Sequence, residues 1–510
     1  MTDKSHRRQA DIHVLSHEIR TPLNGIIGLL SMLEDQHLPD SARSIVKRIE
    51  LSAETLNQQL NNAIEVQRIA ANKVIFAQRP YPLLRVAESS VKFYAAEAES
   101  KGVELTLQFD PRLMGKVFLG DAERLLQILS ALVSNAVKFT DSGSVTVVVG
   151  LRKEKSAASQ VLFTVIDTGI GIPDDEIPLV TQANYQIESA IRGRPPGSGA
   201  GLYIASNLLK LMASKLEIQS NQAGTRVSYV LDLPASNSTA TLYRLKRPGQ
   251  LVSIYAPASA QIELICSNLR NLGLRVNTEE CLREEALHRE SALSLIDYRV
   301  AATNLPVFRQ LTSTAPPGSL CLLSTEFEPA TALLAKGCNQ WNSPYLPSEL
   351  LDICEGAGLI EASVSTASNV DHEQAQLPDD LSAFTLLCVD DSPTNLIVLV
   401  GALTKLGFKR VLRATDGEDA VRVMQQHPEV DLVLMDFHMP KLNGAEAARE
   451  IRANGSRVPI LGVTALAEAD LKAETRDEDF ELVLTKPVRI PVLSEALARF
   501  LSDTSQRRDK

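Results

Sequence analysis

Nowhere in this chain do roughly 20 apolar residues run together, the length a membrane-crossing helix requires. The opening stretch MTDKSHRRQADIH also lacks the apolar core of a secretory leader, so a cytoplasmic chain is expected. Six cysteines (Cys266, Cys281, Cys321, Cys338, Cys354 and Cys388) are scattered without CxxC spacing. That pattern argues against a disulfide framework or a zinc site and suits small buried apolar residues in a reducing compartment. Positive charge is also in short supply. A formal net charge of -10 and a pI near 5.5 argue against nucleic acid as a partner, because counterion release needs clustered Lys and Arg.

What is present is the balance of a folded globular protein, 44% hydrophobic and 22% charged. At 510 residues, the chain exceeds what one core serves, so several domains are expected. From Asp11 to about Asn72 the pattern is helical, broken at QHLPDS. Ile12, Leu15, Ile19, Leu23, Ile26, Leu30 and Leu33 form one apolar stripe; Ile45, Ile49, Ala53, Leu56, Leu60 and Ile64 form another. Two helices bury such stripes poorly alone, which predicts a symmetric four-helix bundle of two copies. From Val74 to Pro234, β-rich runs alternate with helical segments, as in one α/β sandwich. The stretch VSTASNVDHEQAQLPDDLS reads as a linker. After it TLLCVDD, RVLRA, DLVLMD, PILGVTA and ELVLTK alternate with helices, which implies a doubly wound parallel sheet.

The first helix contains SHEIRTPLNG, which resembles the dimerisation and phosphoacceptor domain of histidine kinases. His17 is the candidate acceptor, since a neutral imidazole nitrogen can attack the γ-phosphorus of ATP and the neighbouring Glu18 can orient the ring. Thr21 lies one helical turn further on. The resemblance implies that it positions water for hydrolysis of a phosphorylated receiver.

The next region resembles the ATP-binding domain shared by histidine kinases, heat-shock ATPase chaperones, gyrase-type topoisomerases and mismatch-repair proteins. In NAVKFT, Asn135 would offer oxygen to Mg²⁺ and Lys138 would offset phosphate charge. In DTGIGIP, Asp167 would accept from the adenine amino group, while Gly169 and Gly171 let the backbone turn close to the base. Gly197, Gly199 and Gly201 of GSGAGL would present backbone N–H groups to phosphates ahead of a helix. The sequence departs from the family at Ala131, where a further Asn is usual, and in the lid IPLVTQANYQ, which lacks the usual phenylalanines.

The last domain resembles a response-regulator receiver. Asp390, Asp391 and Asp436 would gather Mg²⁺, with Asp436 as phosphoacceptor and Thr464 and Lys486 contacting the acyl phosphate. Val483 stands where an aromatic switch residue is common. Between Leu251 and Ile360 the same βα rhythm recurs, with Asp297 at the acceptor position but Ala256 and Pro257 in place of the acid pair and Ser343 in place of the Lys. This segment is expected to be a degenerate receiver with an inert Asp297 and a scaffolding or docking role.

The resemblance thus implies a multidomain α and α/β chain of the hybrid sensor histidine kinase type. Its parts would be a helical-hairpin dimerisation bundle, a Bergerat-type α/β sandwich and two flavodoxin-like doubly wound receivers. The expected boundaries are 1–75, 76–235, a linker at 236–248, 249–360, a linker at 361–382, 383–504 and a tail at 505–510. Such a chain would autophosphorylate His17 from ATP with Mg²⁺ and pass the phosphoryl group to Asp436 in a multistep phosphorelay, with phosphatase activity beside it. The alternative is a regulatory homologue without autokinase activity that binds, inhibits or dephosphorylates a partner kinase or response regulator. Expected partners are a second copy or another histidine kinase, and a separate histidine phosphotransfer protein or response regulator. The resemblance adds a second option for location, the cytoplasmic part of an inner-membrane sensor.

Overall fold

The computed structural model describes residues 26, 30, 40–71, 73–154, 158–183, 185, 187, 199–236, 241–246, 249–284, 291–316, 318–324, 338–364, 381–464, 479–486, 488, 493–494 and 496–501. They fall into two compact units, one within 68–369 and one drawn from 1–67 and 370–510. Among the described residues, no helix is long and apolar enough to cross a membrane.

Helix α1 (Asp40–Ala70) divides the apolar stripe read from its sequence. Val46, Ala53 and Ile64 are buried, whereas Ile45, Ile49 and Leu56 stand exposed. The two sets occupy neighbouring lines of one broad face, so a single chain covers only half of it.

The second region begins with strand β1 (Arg79–Pro82), helix α2 (Leu83–Lys92) and strands β2 (Val103–Phe109) and β3 (Val117–Gly120). Helix α3 (Ala122–Phe139), β4 (Gly143–Glu154), β5 (Ala158–Asp167), helix α4 (Gly201–Leu211), β6 (Glu217–Asn221) and β7 (Gly224–Pro234) follow. A five-stranded sheet runs in the order β2-β4-β5-β7-β6. Alternating residues Val145, Val147 and Val149 of β4 and Val161, Phe163 and Val165 of β5 are buried, as the two-residue period of a strand requires. Helix α3 packs on these strands with Leu125, Ile128, Leu129, Leu132, Val133, Ala136 and Val137 turned inward. Its start is fixed by Asp121, whose side chain caps the Arg124 N–H and also accepts from the Ala77 N–H at 2.9 Å.

Strands β8 (Thr241–Leu245) and, further along, β14 (Ile360–Val364) pair antiparallel, so both stretches expected as linkers contribute a strand. Between them lie β9 (Leu251–Tyr255), helix α5 (Ala260–Asn271), β10 (Arg275–Glu279), β11 (Leu293–Asp297), β12 (Leu320–Ser324), β13 (Asn339–Asn342) and helix α6 (Pro347–Gly356). The sheet order is β10-β9-β11-β12-β13, all parallel.

The terminal domain comprises β15 (Thr385–Val389), α7 (Pro393–Leu406), β16 (Arg410–Ala414), α8 (Gly417–Gln426), β17 (Leu432–Asp436), α9 (Gly444–Ala453), β18 (Ile460–Thr464) and β19 (Leu482–Thr485). Its parallel order β16-β15-β17-β18-β19 repeats that of the middle domain. Cys266, Cys321, Cys354 and Cys388 are buried as expected, and burial pushes the Cys354 thiol up to about 12. Cys281 and Cys338 depart from the expectation: the first is exposed and the second half-buried.

Candidate functional site

Helix α3 is the spine of the first candidate site. Asn135 and Lys138 lie near its C-terminal end, and the glycine loop after β5 is tied there by the Ile170 N–H donating to the Phe139 carbonyl at 3.3 Å. Gly169 is forced by closeness, because a Cβ there would stand 2.4 Å from that same carbonyl oxygen. Gly171 has φ +71°, and a Cβ would stand 2.0 Å from the Asn221 oxygen. Asp167 ends β5. Its Oδ1 accepts from the Gly169 N–H at 2.9 Å and the Thr225 N–H at 3.2 Å. Burial pushes its carboxyl above the ordinary range, against the pull of those two donors.

Gly201 opens α4 within reach of the same spine, 3.7 Å separating its would-be Cβ from the Ala131 methyl. Gly199, with φ +65°, makes the turn before it. Asn135, Lys138, Asp167, Gly169, Gly171, Gly199 and Gly201 are thus gathered around α3. Ser220 was missed by the sequence reading: its hydroxyl accepts from the Ile172 N–H at 2.7 Å and fixes the far side of the glycine loop. His17, Glu18, Thr21 and Gly197 lie outside the described residues.

The second candidate site lies at the carboxyl edge of the terminal sheet. Asp390, Asp391 and Asp436 bring oxygens within 4.8 Å of one another. Lys486 donates to Asp390 Oδ2 at 2.6 Å and to Asp436 Oδ2 at 2.8 Å, all three side chains being at most 12% exposed. Burial pushes the Asp436 carboxyl up to about 6; Lys486 pulls it down and Asp390 pushes it further up. Burial opposes the Lys486 charge, yet its two carboxylates hold the ammonium above its usual range. One ammonium facing three carboxylates leaves the cluster short of positive charge, which fits a hard dication.

Neighbours that the sequence reading did not name fix the geometry. Asp390 Oδ1 accepts from the Ser392 N–H at 2.9 Å and Asn395 Nδ2 at 3.0 Å. Gly444 lets the loop after Asp436 fold back, since a Cβ there would stand 2.2 Å from the Asp436 carbonyl oxygen. Thr464 is fully buried at the end of β18, its carbonyl accepting from the Lys486 N–H at 2.6 Å. Beside Val483, where an aromatic is common, Phe480 packs over Gly462 and against Phe437, next in sequence to Asp436.

Strand register aligns the middle domain with this edge position by position. Tyr255 pairs with Ile296 as Val389 pairs with Met435, and Asp297 with Leu323 as Asp436 with Val463. Ser324 pairs with Asn342 as Thr464 pairs with Thr485. Ala256, Pro257, Asp297, Ser324 and Ser343 therefore fall where Asp390, Asp391, Asp436, Thr464 and Lys486 stand. Asp297 is occupied: Arg299 clasps both of its oxygens at 3.0 and 2.8 Å.

Residues 9–72 match the His Kinase A (phospho-acceptor) domain, and 120–235 match the histidine kinase-, DNA gyrase B- and HSP90-like ATPase family. Residues 386–498 match the response regulator receiver domain. The chain is a homologue of the hybrid histidine kinases. It is 28% identical to the signal transduction histidine-protein kinase BarA of Escherichia coli (strain K12) over 95% of its own length and 53% of that protein's. The sensor histidine kinase GacS of Pseudomonas protegens is 27% identical over 95% of this chain and 54% of its own. Thus the chain spans about half the length of these kinases. Crystalline full-length ShkA in complex with AMPPNP is similar in fold, with a TM-score of 0.51, 25% identity and coverage of 96% of this chain and 99% of that one. The middle domain, 249–360, is matched by none of the three family regions.

Proposed function

We propose that the chain transfers the γ-phosphoryl group of ATP to His17 and then to Asp436, as one link of a phosphorelay. The observation that carries this reading is the carboxyl-edge cluster of Asp390, Asp391 and Asp436 bridged by Lys486, joined in one chain to the phosphoacceptor and ATPase regions. Mg²⁺ on the three carboxylates would offset phosphoryl charge, which is the chemistry a dication supplies there. Lys486 orients Asp436 Oδ2 for in-line attack, and the buried Thr464 waits beside the oxygen that arrives.

In the nucleotide domain, Asp167 has Oδ1 committed to backbone donors, and Oδ2 is the oxygen for the adenine amino group. Asn135 would hold Mg²⁺, Lys138 the phosphates, and Gly169, Gly171, Gly197, Gly199 and Gly201 would let backbone N–H groups approach the nucleotide. Glu18 orients His17, and Thr21 positions water for hydrolysis of the phosphorylated receiver. The exposed Ile45, Ile49 and Leu56 give a second copy the face it needs for a bundle. The division into 1–75, 76–235, 249–360 and 383–504 goes with this reading, as does a cytoplasmic location. Residues 249–360 are a degenerate receiver, a reading supported by the repeated strand order and by an edge that carries Ala256, Pro257 and Ser343 in place of the acid pair and the lysine.

One observation favours the regulatory alternative: Ala131 stands against Gly201 without the second amide common at that position. Asn135→Ala decides between the two. Wild type labelled from γ-labelled ATP and an unlabelled Asn135→Ala variant support the kinase; label on both contradicts the nucleotide assignment, as does unchanged ATP affinity in Asp167→Ala.

A further inference from the structure

Two helices of the middle domain begin on carboxylates that belong to the nucleotide domain. Helix α6 has Leu346 at its N-cap, a residue with no side-chain acceptor. Glu88 of α2 supplies the acceptor instead: Oε1 takes the Ser348 N–H and Oε2 takes the Ser348 hydroxyl, both at 2.8 Å across 260 residues of sequence. Helix α5 has its own cap, Ser259 Oγ accepting from the Ile262 N–H at 3.2 Å, and takes a carboxylate from the nucleotide domain besides. Its Gln261 N–H donates to Glu104 Oε1 of β2 at 2.9 Å, and Gln261 Nε2 donates to the Leu105 carbonyl at 3.2 Å. The first-turn N–H groups of a helix have no partner within it, and its N-terminus favours negative charge, so both carboxylates sit where they stabilise most. Glu88 is only 5% exposed, so removing its partner would strand a buried carboxylate. Lys92 to Glu349 at 3.5 Å and the packing of Met114 against the middle-domain core extend the contact.

This dock is linked to the nucleotide site through α2. Helix α2 packs along α3, and Tyr94, just beyond α2, shares a hydrogen bond with Ser134, the neighbour of Asn135. We propose that the middle domain is a cis-acting clamp that holds α2 against α3 through Glu88 and Glu104, so that its docking sets the nucleotide affinity of the site around Asn135. The clamp needs no phosphorylation of Asp297. Coupling is reciprocal, so nucleotide binding must also be felt at the dock.

A reporter is built in. The chain has one tryptophan, Trp341, and its Nε1 donates to Glu349 Oε2 at 2.8 Å beside Ser348. The inference rests on nucleotide binding at Asn135 and Asp167, and the test separates the two. Full-length chain is titrated with Mg²⁺ and a non-hydrolysable ATP analogue while calorimetry and Trp341 emission are recorded, and amide exchange over 122–139 is measured without nucleotide. A Trp341 change that saturates with the calorimetric signal is expected. Ser348→Ala should bind the analogue about three- to tenfold more weakly, the span of one lost hydrogen bond, and exchange faster in α3. Glu88→Ala should exceed it. Wild-type affinity, Trp341 response and α3 exchange in both variants would overturn the clamp. No heat in wild type would contradict the nucleotide reading instead, and unchanged α3 exchange in the variants would still overturn the clamp.

Discussion

Lys486→Met tests whether the carboxylate cluster is built for a dication. Lys486 is the buried ammonium between Asp390 and Asp436, at 2.6 and 2.8 Å, and its loss leaves two carboxylates 3% and 9% exposed facing each other. Removing one partner of a buried ion pair costs roughly 3–5 kcal/mol. Protonation limits the loss here. Asp436, pushed up to about 6 even with Lys486 beside it, rises further once that ammonium is gone, so taking a proton near neutral pH offsets part of this cost. The expected destabilisation is therefore about 2–3 kcal/mol, a fall in Tm of about 8–12 °C for a domain of this size. Scanning calorimetry of the full chain in EDTA reads it directly. Mg²⁺ replaces the missing charge, so it should raise the Tm of Lys486→Met by more than that of wild type. Equal melting of variant and wild type in EDTA, or a Mg²⁺ gain no larger than the wild type's, would refute the charge argument.

Asp110 gives a pH prediction. The Arg112 guanidinium, with the Arg112 and Leu151 N–H groups, holds its carboxyl down at about 2, against an opposing push from burial. A depressed carboxyl contributes stability above its ordinary range near 4 and loses it as pH falls toward 2. Asp110→Asn should thus cost about 1–2 kcal/mol near neutral pH, discounted for the exposed Arg112, with the difference closing below about pH 3 in acid-unfolding curves; a constant difference across pH contradicts this. Arg299→Ala frees Asp297, yet acetyl phosphate with Mg²⁺ should leave it unmodified by mass spectrometry, because Ala256, Pro257 and Ser343 supply neither metal ligands nor an ammonium. A phosphoryl adduct on Asp297 would show the site to be competent.

The receiver chemistry was legible because a doubly wound sheet delivers every strand end to one edge, so Asp390, Asp436, Thr464 and Lys486 could be placed by strand alone. The glycine motifs were legible for a related reason: Gly171 needs a left-handed turn, and Gly169 must clear the Phe139 carbonyl. Long-range capping left no trace. Glu88 and Glu104 look like ordinary helix and strand carboxylates until the helices they cap are brought beside them. Strands β8 and β14 are only five residues each and sit in otherwise polar stretches, and the alternation in IEASV has no partner nearby in sequence, since the two strands pair across the whole middle domain. The stripe expected on α1 is covered only in part within one chain, with Ile45, Ile49 and Leu56 exposed, because the period marks the apolar face and not which of its lines one chain covers. The clasp of Arg299 on Asp297 was within reach, two residues on in DYR, but inertness had been read from what the site lacks rather than from what fills it.

The central claim is a phosphoryl path from ATP through His17 to Asp436. Wild type, His17→Ala and Asp436→Ala are incubated with Mg²⁺ and γ-labelled ATP, and acid-labile label on the protein is followed. The account predicts no label in His17→Ala and label that accumulates on histidine in Asp436→Ala. Label that persists in His17→Ala, or its absence from every protein despite measurable nucleotide binding, would contradict it.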